Sequence, residues 1–157
     1  MPSLEERVAL LEDRQAVLDT LQAYSHAIDL GAEEPWLDCF TPDASFEIRS
    51  ELPDYPVGRH DGRAALQAFI ASHSKPPSVH HKHLYVVPEI NVDGDRATAV
   101  AYFVHLLDRD GKPATVSYGR YLDVLIRCDD GRWRILERVS EVHASDNSAA
   151  ASFSSPA

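Results

Sequence analysis

The sequence predicts an α+β domain in which helices come first and an antiparallel sheet follows. Residues 3–30 carry apolar side chains at helical spacing, whereas from residue 79 onward apolar and polar side chains alternate as in strands. The second half is also divided by the separators "VDGD", "RDGK" and "CDDG", whose Asp and Gly residues accept the positive φ of tight hairpin turns. With 157 residues, 44% of them hydrophobic, the chain has the length and apolar content for one cored domain. It shows no internal repeat, so residues 1–145 read as a single domain and 146–157 as a flexible tail.

In chain order, Ser3 and Glu6 have capping-box spacing, and Leu4, Val8, Leu11, Leu18 and Leu21 predict a helix from about residue 3 to 30, ended by Gly31. "EEPWLDCF" predicts a short second helix with Pro35 near its first turn, "ASFEIRS" a strand, "PDYPVGRHDG" a loop and "RAALQAFIASH" a third helix. Strands at roughly 79–92, 95–108, 114–128 and 132–143 follow. The tail "SDNSAAASFSSPA" is too polar to pack well; mobility is expected of it, and Phe153 could fold back onto a pocket mouth.

Composition narrows the partners. A formal net charge of -10 without a basic cluster repels phosphate backbones and anionic membrane surfaces, so neither nucleic acid nor membrane is expected as a partner. The N-terminal "MPSLEERVALL" lacks the apolar run of a signal peptide and no stretch has the length to span a bilayer, so a cytoplasmic location is expected. Cys39 and Cys128 lack metal or redox spacing and read as buried thiols.

Several residues break the apolar pattern. On a helical wheel Asp29 falls with Leu11 and Leu18 on the buried stripe, where a carboxylate needs a partner, a proton or a role as a base. It could equally cap a turn before Gly31. Tyr24 lies at the edge of that stripe, its hydroxyl aimed into a cavity or left in water. In "HHKHLYVV" His80 and His81 read as the loop entering a strand, while His83 is followed by a sustained β run with Tyr85 and Val87 on its own face. Ala97, Ala99, Ala101, Phe103 and His105 share the next strand's face, and small residues there would leave room for a cavity. In the last strand Arg138 shares a face with Leu136 and Ser140, opposite Trp133 and Ile135; it needs an anionic partner if helices cover it. His81, His83 and Glu89 also permit a metal reading, against which Glu89 has the opposite strand parity.

"AVLDTLQAYSHAID", "WLDCFTPDASFE", "VGRHDGRAALQAF", "HLYVVPEINVDGDRA" and "GRYLDVLIRCDDGRWRILER", in that order, resemble the SnoaL-like branch of the nuclear-transport-factor-2-like superfamily. That branch includes scytalone dehydratase, bile-acid 7α-dehydratase and hexachlorocyclohexane dehydrochlorinase. The resemblance spans residues 5–143. It implies a cone-shaped α+β barrel with the N-terminal helices packed in a curved antiparallel sheet around one deep pocket. It further implies a His83–Asp29 acid–base dyad, with Tyr24 and Arg138 as catalytic partners. His105, Tyr85, Phe103 and Tyr121 are expected to bind substrate. Val87 departs from an asparagine that many relatives place there.

The function so implied is a lyase or isomerase acting on a hydrophobic, cyclic or polycyclic small molecule, without cofactor or metal. A non-catalytic binding or scaffolding protein of the same fold is the alternative. Assembly into a homodimer or larger homo-oligomer is expected, because the outer sheet face, with Trp133 and Ile135 placed on it, needs cover.

Overall fold

Ser3 caps the first helix as its spacing with Glu6 predicts: its hydroxyl accepts the Glu6 N–H at 3.1 Å, and the Glu6 carboxylate accepts the Ser3 N–H at 2.6 Å. In the computed structural model, which describes residues 1–146, this helix, α1, runs over Leu4–Leu30. Gly31 ends it in the left-handed region at φ 67°, where a side chain would also collide with Lys75. The remaining elements are α2 (Glu33–Asp38), β1 (Phe40–Ser50), β2 (Gly58–Asp61), α3 (Gly62–Ser72), β3 (His81–Asp93), β4 (Arg96–Arg109), β5 (Lys112–Arg127) and β6 (Trp133–Ser145). Of the predicted tail only Asp146 is described, its N–H donating to the Val116 carbonyl; the rest lies outside the described residues.

The six strands form one curved sheet in the order β2-β1-β6-β5-β4-β3. Two expectations change here. The sheet is open, with β2 and β3 at its edges, and it is mixed, because β1 pairs parallel to β6. The chain uses β2 and α3 to cross from one sheet edge to the other before the meander starts, so its first long strand meets its last side by side. The predicted loop at 53–62 holds β2, and β1 starts at Phe40.

Only the C-terminal half of α1 is covered. Arg14 donates to the Ile90 carbonyl and Arg127 grips Asp13 with two bonds of 2.7 Å; the turns before these ties project past the sheet. Leu11 is therefore 65% exposed, and the buried stripe is Val17, Leu21, Tyr24, Ala27, Ile28 and Asp29. Trp36, Phe40, Phe46 and Phe69 fill the space between helices and sheet, with ring centroids 4.7 to 6.4 Å apart. Cys39 is buried, whereas Cys128 is only half-buried, near the turn before β6.

Two bulges reset which side chains face inward. In β3 the pairing slips between Val86 and Glu89, with Val87 at φ 53° and Pro88 lacking an N–H. His81, His83 and Tyr85 point in before the slip and Ile90 and Val92 after it, while Val87 itself turns out to solvent, off the face predicted for it. In β6 the slip opposite Val124 and Leu125 leaves Leu136 as the extra residue. Trp133 and Ile135 thus face the core rather than the outer surface, as do Arg138, Ser140 and Val142 beyond it. The outer face instead exposes Leu84, Val100, Tyr102 and Tyr118. β4 keeps strict alternation, burying Ala97, Ala99, Ala101, Phe103 and His105. Opposite Phe103 stands Gly119, where a Cβ would fall 2.0 Å from the Glu141 carbonyl oxygen.

Candidate active site

The last turn of α1 carries Asp29 and the inward face of β3 carries His83, and helix packing on the sheet brings them together. The His83 backbone N–H donates to both carboxylate oxygens, at 3.0 and 3.2 Å, and its ring Nδ1 lies 2.7 Å from Oδ1. A carboxylate can only accept, so the network assigns the ring proton to Nδ1 and leaves the lone pair on Nε2. Loss of water holds the His83 imidazole well below its ordinary value, with further depression from the His73, His81, Arg138 and Lys82 charges, so the ring is neutral at neutral pH. Burial raises the Asp29 carboxyl, and the His83 backbone N–H opposes that rise.

Around His83 three more imidazoles gather, one from its own strand, one from β4 and one from the end of α3. His105 lies directly across from His83 in the β3–β4 register, and the two rings stack with centroids 4.3 Å apart at 16°. His81 starts β3 fully buried rather than lying in a loop, its ring within 20° of parallel to that of His105 with centroids 5.1 Å apart. His73 ends α3 and stands 5.0 Å from His81. Burial is the main cause that lowers all of them, His81 to about 4 and His105 to about 2. Among the described residues no three His, Cys, Asp or Glu side chains are placed to hold a metal ion. Glu89 stands exposed beyond the bulge.

Arg138 has the anionic partner that its position demands. Asp123 of β5 accepts from Nε at 2.7 Å and from Nη2 at 2.9 Å, with both side chains fully buried. The guanidinium lies 4.0 Å from the Tyr24 ring and 4.3 Å from the Tyr121 ring. Its Nη1 and the buried Tyr85 hydroxyl have no hydrogen-bond partner among the described residues. Arg138 is absent from the cavity wall; it sits behind Tyr24 and Tyr121, which are on it. Tyr24 is wholly buried rather than at the core's edge, and burial pushes its hydroxyl above the ordinary value against the pull of the Arg138 charge.

The cavity is bounded by Tyr24, Phe46, Tyr55, Phe69, His83, Phe103, His105 and Tyr121, with Ser117 and Ser140 as further polar groups. Tyr85 is not on its wall but stacks behind Tyr121 at 6.0 Å. Its volume is about 40 Å³, close to the share of one liquid water molecule. A recess of about 320 Å³ adjoins it across Ile48 and Phe69, lined also by Pro56, Val57 and His60. Asp29 and His83 border, in addition, an outer groove of about 410 Å³ between α1 and β3, beside Ser25, His26 and Lys82.

Sequence reading passed over His73, Ser74 and Asp123, and read His81 as a loop residue or as part of a metal set with His83 and Glu89. For two of them a signal existed: His81 is two residues before His83 and so shares its strand face, and Asp123 is a carboxylate between Tyr121 and Leu125 on an apolar strand face. His73 and Ser74 carried none.

The sequence profile of the SnoaL-like domain matches residues 9–139. No protein of curated function matches the chain. Among solved structures, a protein of unknown function from Mycobacterium tuberculosis is 27% identical, with a TM-score of 0.75 over 96% of this chain and 81% of that one. A nuclear-transport-factor-2-like protein with a cystatin-like fold from Novosphingobium aromaticivorans is 24% identical, with a TM-score of 0.71 over 96% of each chain. A Catenulispora acidiphila protein solved in complex with S-DNPA is 25% identical, with a TM-score of 0.70 over 90% of this chain and 98% of that one.

Proposed function

The chain belongs to the SnoaL-like domain family, and we propose that it is a cofactor-independent lyase or isomerase acting on a hydrophobic cyclic small molecule. The observation that carries this reading is the 2.7 Å contact between His83 Nδ1 and Asp29, which orients a neutral imidazole with its Nε2 lone pair free. His83 takes a proton from a carbon next to a carbonyl or leaving group. Asp29 then balances the charge the ring acquires, as a carboxylate does for an imidazole base elsewhere. Tyr24 and Tyr121 offer hydroxyls to developing negative charge, and Arg138 holds both rings in place from behind. The relative's complex with S-DNPA supports a protein that takes a ligand.

A ring needs more space than the closed cavity offers. Tyr55 closes the cavity and the adjoining recess begins at Pro56, so an outward shift of this segment joins the two spaces and admits the substrate. The test is deuterium uptake from D2O into a panel of ring ketones, 2-tetralone among them, followed by proton NMR. Uptake above the buffer rate that is lost in His83→Ala supports the base. Ligands that raise Tm without any exchange would make the protein a binder.

A further inference from the structure

The two stacked imidazoles of the cavity wall are held differently. A carboxylate holds His83, whereas another ring holds His105: its Nε2 is 2.9 Å from His81 Nδ1, and His81 Nε2 is 2.9 Å from Ser74 Oγ. His81 and His105 are buried, while Ser74, between α3 and β3, is half-buried. Between each pair of facing atoms there is room for one proton, and a neutral imidazole carries one N–H. The row therefore has two self-consistent arrangements. In the first, the Ser74 hydroxyl donates to His81 Nε2, His81 Nδ1–H donates to His105 Nε2, and His105 carries its proton on Nδ1. In the second, His105 Nε2–H donates to His81 Nδ1, His81 Nε2–H donates to Ser74 Oγ, and His105 Nδ1 bears a lone pair. Protons move one place along the row and no ring has to turn.

We propose that Ser74 and His81 form a proton relay that links His105 to solvent, making His105 the proton-exchanging partner of His83. This rests on the reading of His83 as the base. In an elimination His83 Nε2 takes the proton from carbon, and the electron pair of that C–H bond forms the new double bond as the C–O bond breaks. His105 Nδ1–H supplies the proton that leaves with the oxygen. The His81 Nδ1 proton passes to His105 Nε2, the Ser74 proton passes to His81 Nε2, and water restores the Ser74 hydroxyl. A proton returning to His105 Nδ1 drives the row backward and releases one at Ser74.

Charge favours this division. Two imidazolium rings stacked 4.3 Å apart repel, so a pair in which one ring gains a proton while the other gives one up never carries both charges. His73, His83, Lys82, Asp29 and Asp146 are the titratable groups that act on the row, and burial outweighs them in keeping His81 and His105 neutral. Only neutral rings can alternate between the two arrangements. His81 and Ser74 work through His105 and are positioning residues.

The test labels every histidine of the full chain with 15N and reads at neutral pH which ring nitrogens carry a proton. The relay requires averaged signals, between protonated and bare, for both nitrogens of His81 and of His105. In Ser74→Ala that averaging is lost at His81, and Ser74→Thr restores it. A single fixed tautomer at His81 in the unaltered protein, or averaging that persists in Ser74→Ala, overturns the relay. No substrate enters this measurement, so it stands apart from the base assignment, which fails separately if His83 carries its proton on Nε2.

Discussion

Asp29 and Asp123 are both buried carboxylates, each facing a nitrogen base, yet they leave opposite remainders. Asp123 takes two donors of Arg138 in a closed fork beneath the tyrosines, and both side chains are fully buried. Asp29 takes one ring nitrogen of His83 and leaves the other nitrogen open on the cavity wall. A closed pair holds shape, whereas a half-used one holds a reactive lone pair in place. The difference lies in where the unused nitrogen is left: Arg138 Nη1 stays buried behind the tyrosines, whereas His83 belongs to the cavity wall.

Removing the open pair's base is expected to have the largest effect. His83→Ala should lower turnover by about 10² to 10⁴, the usual worth of a positioned general base, with little change in Tm; a steady-state assay on a ring ketone found by exchange checks it. Breaking the closed pair should do the reverse. Asp123→Ala strands the Arg138 charge and should cost about 3–5 kcal/mol of stability in a denaturant titration. If instead Asp123→Ala left stability unchanged and turnover low, the two pairs would have exchanged roles.

The imidazole cluster predicts a smaller, graded effect of acid. His81 and His105 are held near 4 and 2 in the folded protein against 6.5 as free side chains, so below pH 6.5 the unfolded chain binds protons that the folded one refuses. Stability is thus full above pH 6.5 and falls as pH drops, by up to about 1.4 kcal/mol per unit for each ring. His83, also depressed, acts in the same direction; Asp29, whose carboxyl is raised, binds its proton first in the folded state and offsets part of the loss. Tm measured from pH 7 to 5 should fall in the unaltered protein and fall less steeply in His81→Gln. A flat profile would mean that the rings titrate as exposed histidines do.

The smallest expected effect concerns assembly. Val100, Tyr102 and Tyr118 give the outer sheet face its apolar character, and Tyr102→Lys should shift a homodimer toward monomer in light scattering without changing the far-UV spectrum. A monomer in the unaltered protein at all concentrations would remove the expectation of an oligomer.

Much of the candidate site was legible because it follows from period. The alternation of β4 placed Phe103 and His105 inward with the alanines, and the strand run after His83 placed that residue in the sheet. The helical wheel put Asp29 on the covered side although it relied on Leu11, which proves exposed. What escaped are single-residue events. A bulge leaves composition and spacing almost untouched, yet it turned Val87 outward and Trp133 inward. The parallel pairing of β1 with β6 joins strands from opposite ends of the chain, and no local pattern records it. Likewise Arg138 looked like a group that meets substrate, because its fork with Asp123 is visible only once β5 and β6 pair.

The most direct measurement compares Asp29→Asn, His83→Ala and the double variant for turnover and for ligand affinity. If Asp29 acts only by orienting His83 and balancing its charge, Asp29→Asn lowers turnover while affinity stays nearly constant, and the double variant is scarcely slower than the worse single one. Turnover losses that multiply, or undiminished turnover in His83→Ala, would show that the two residues do not form one catalytic unit.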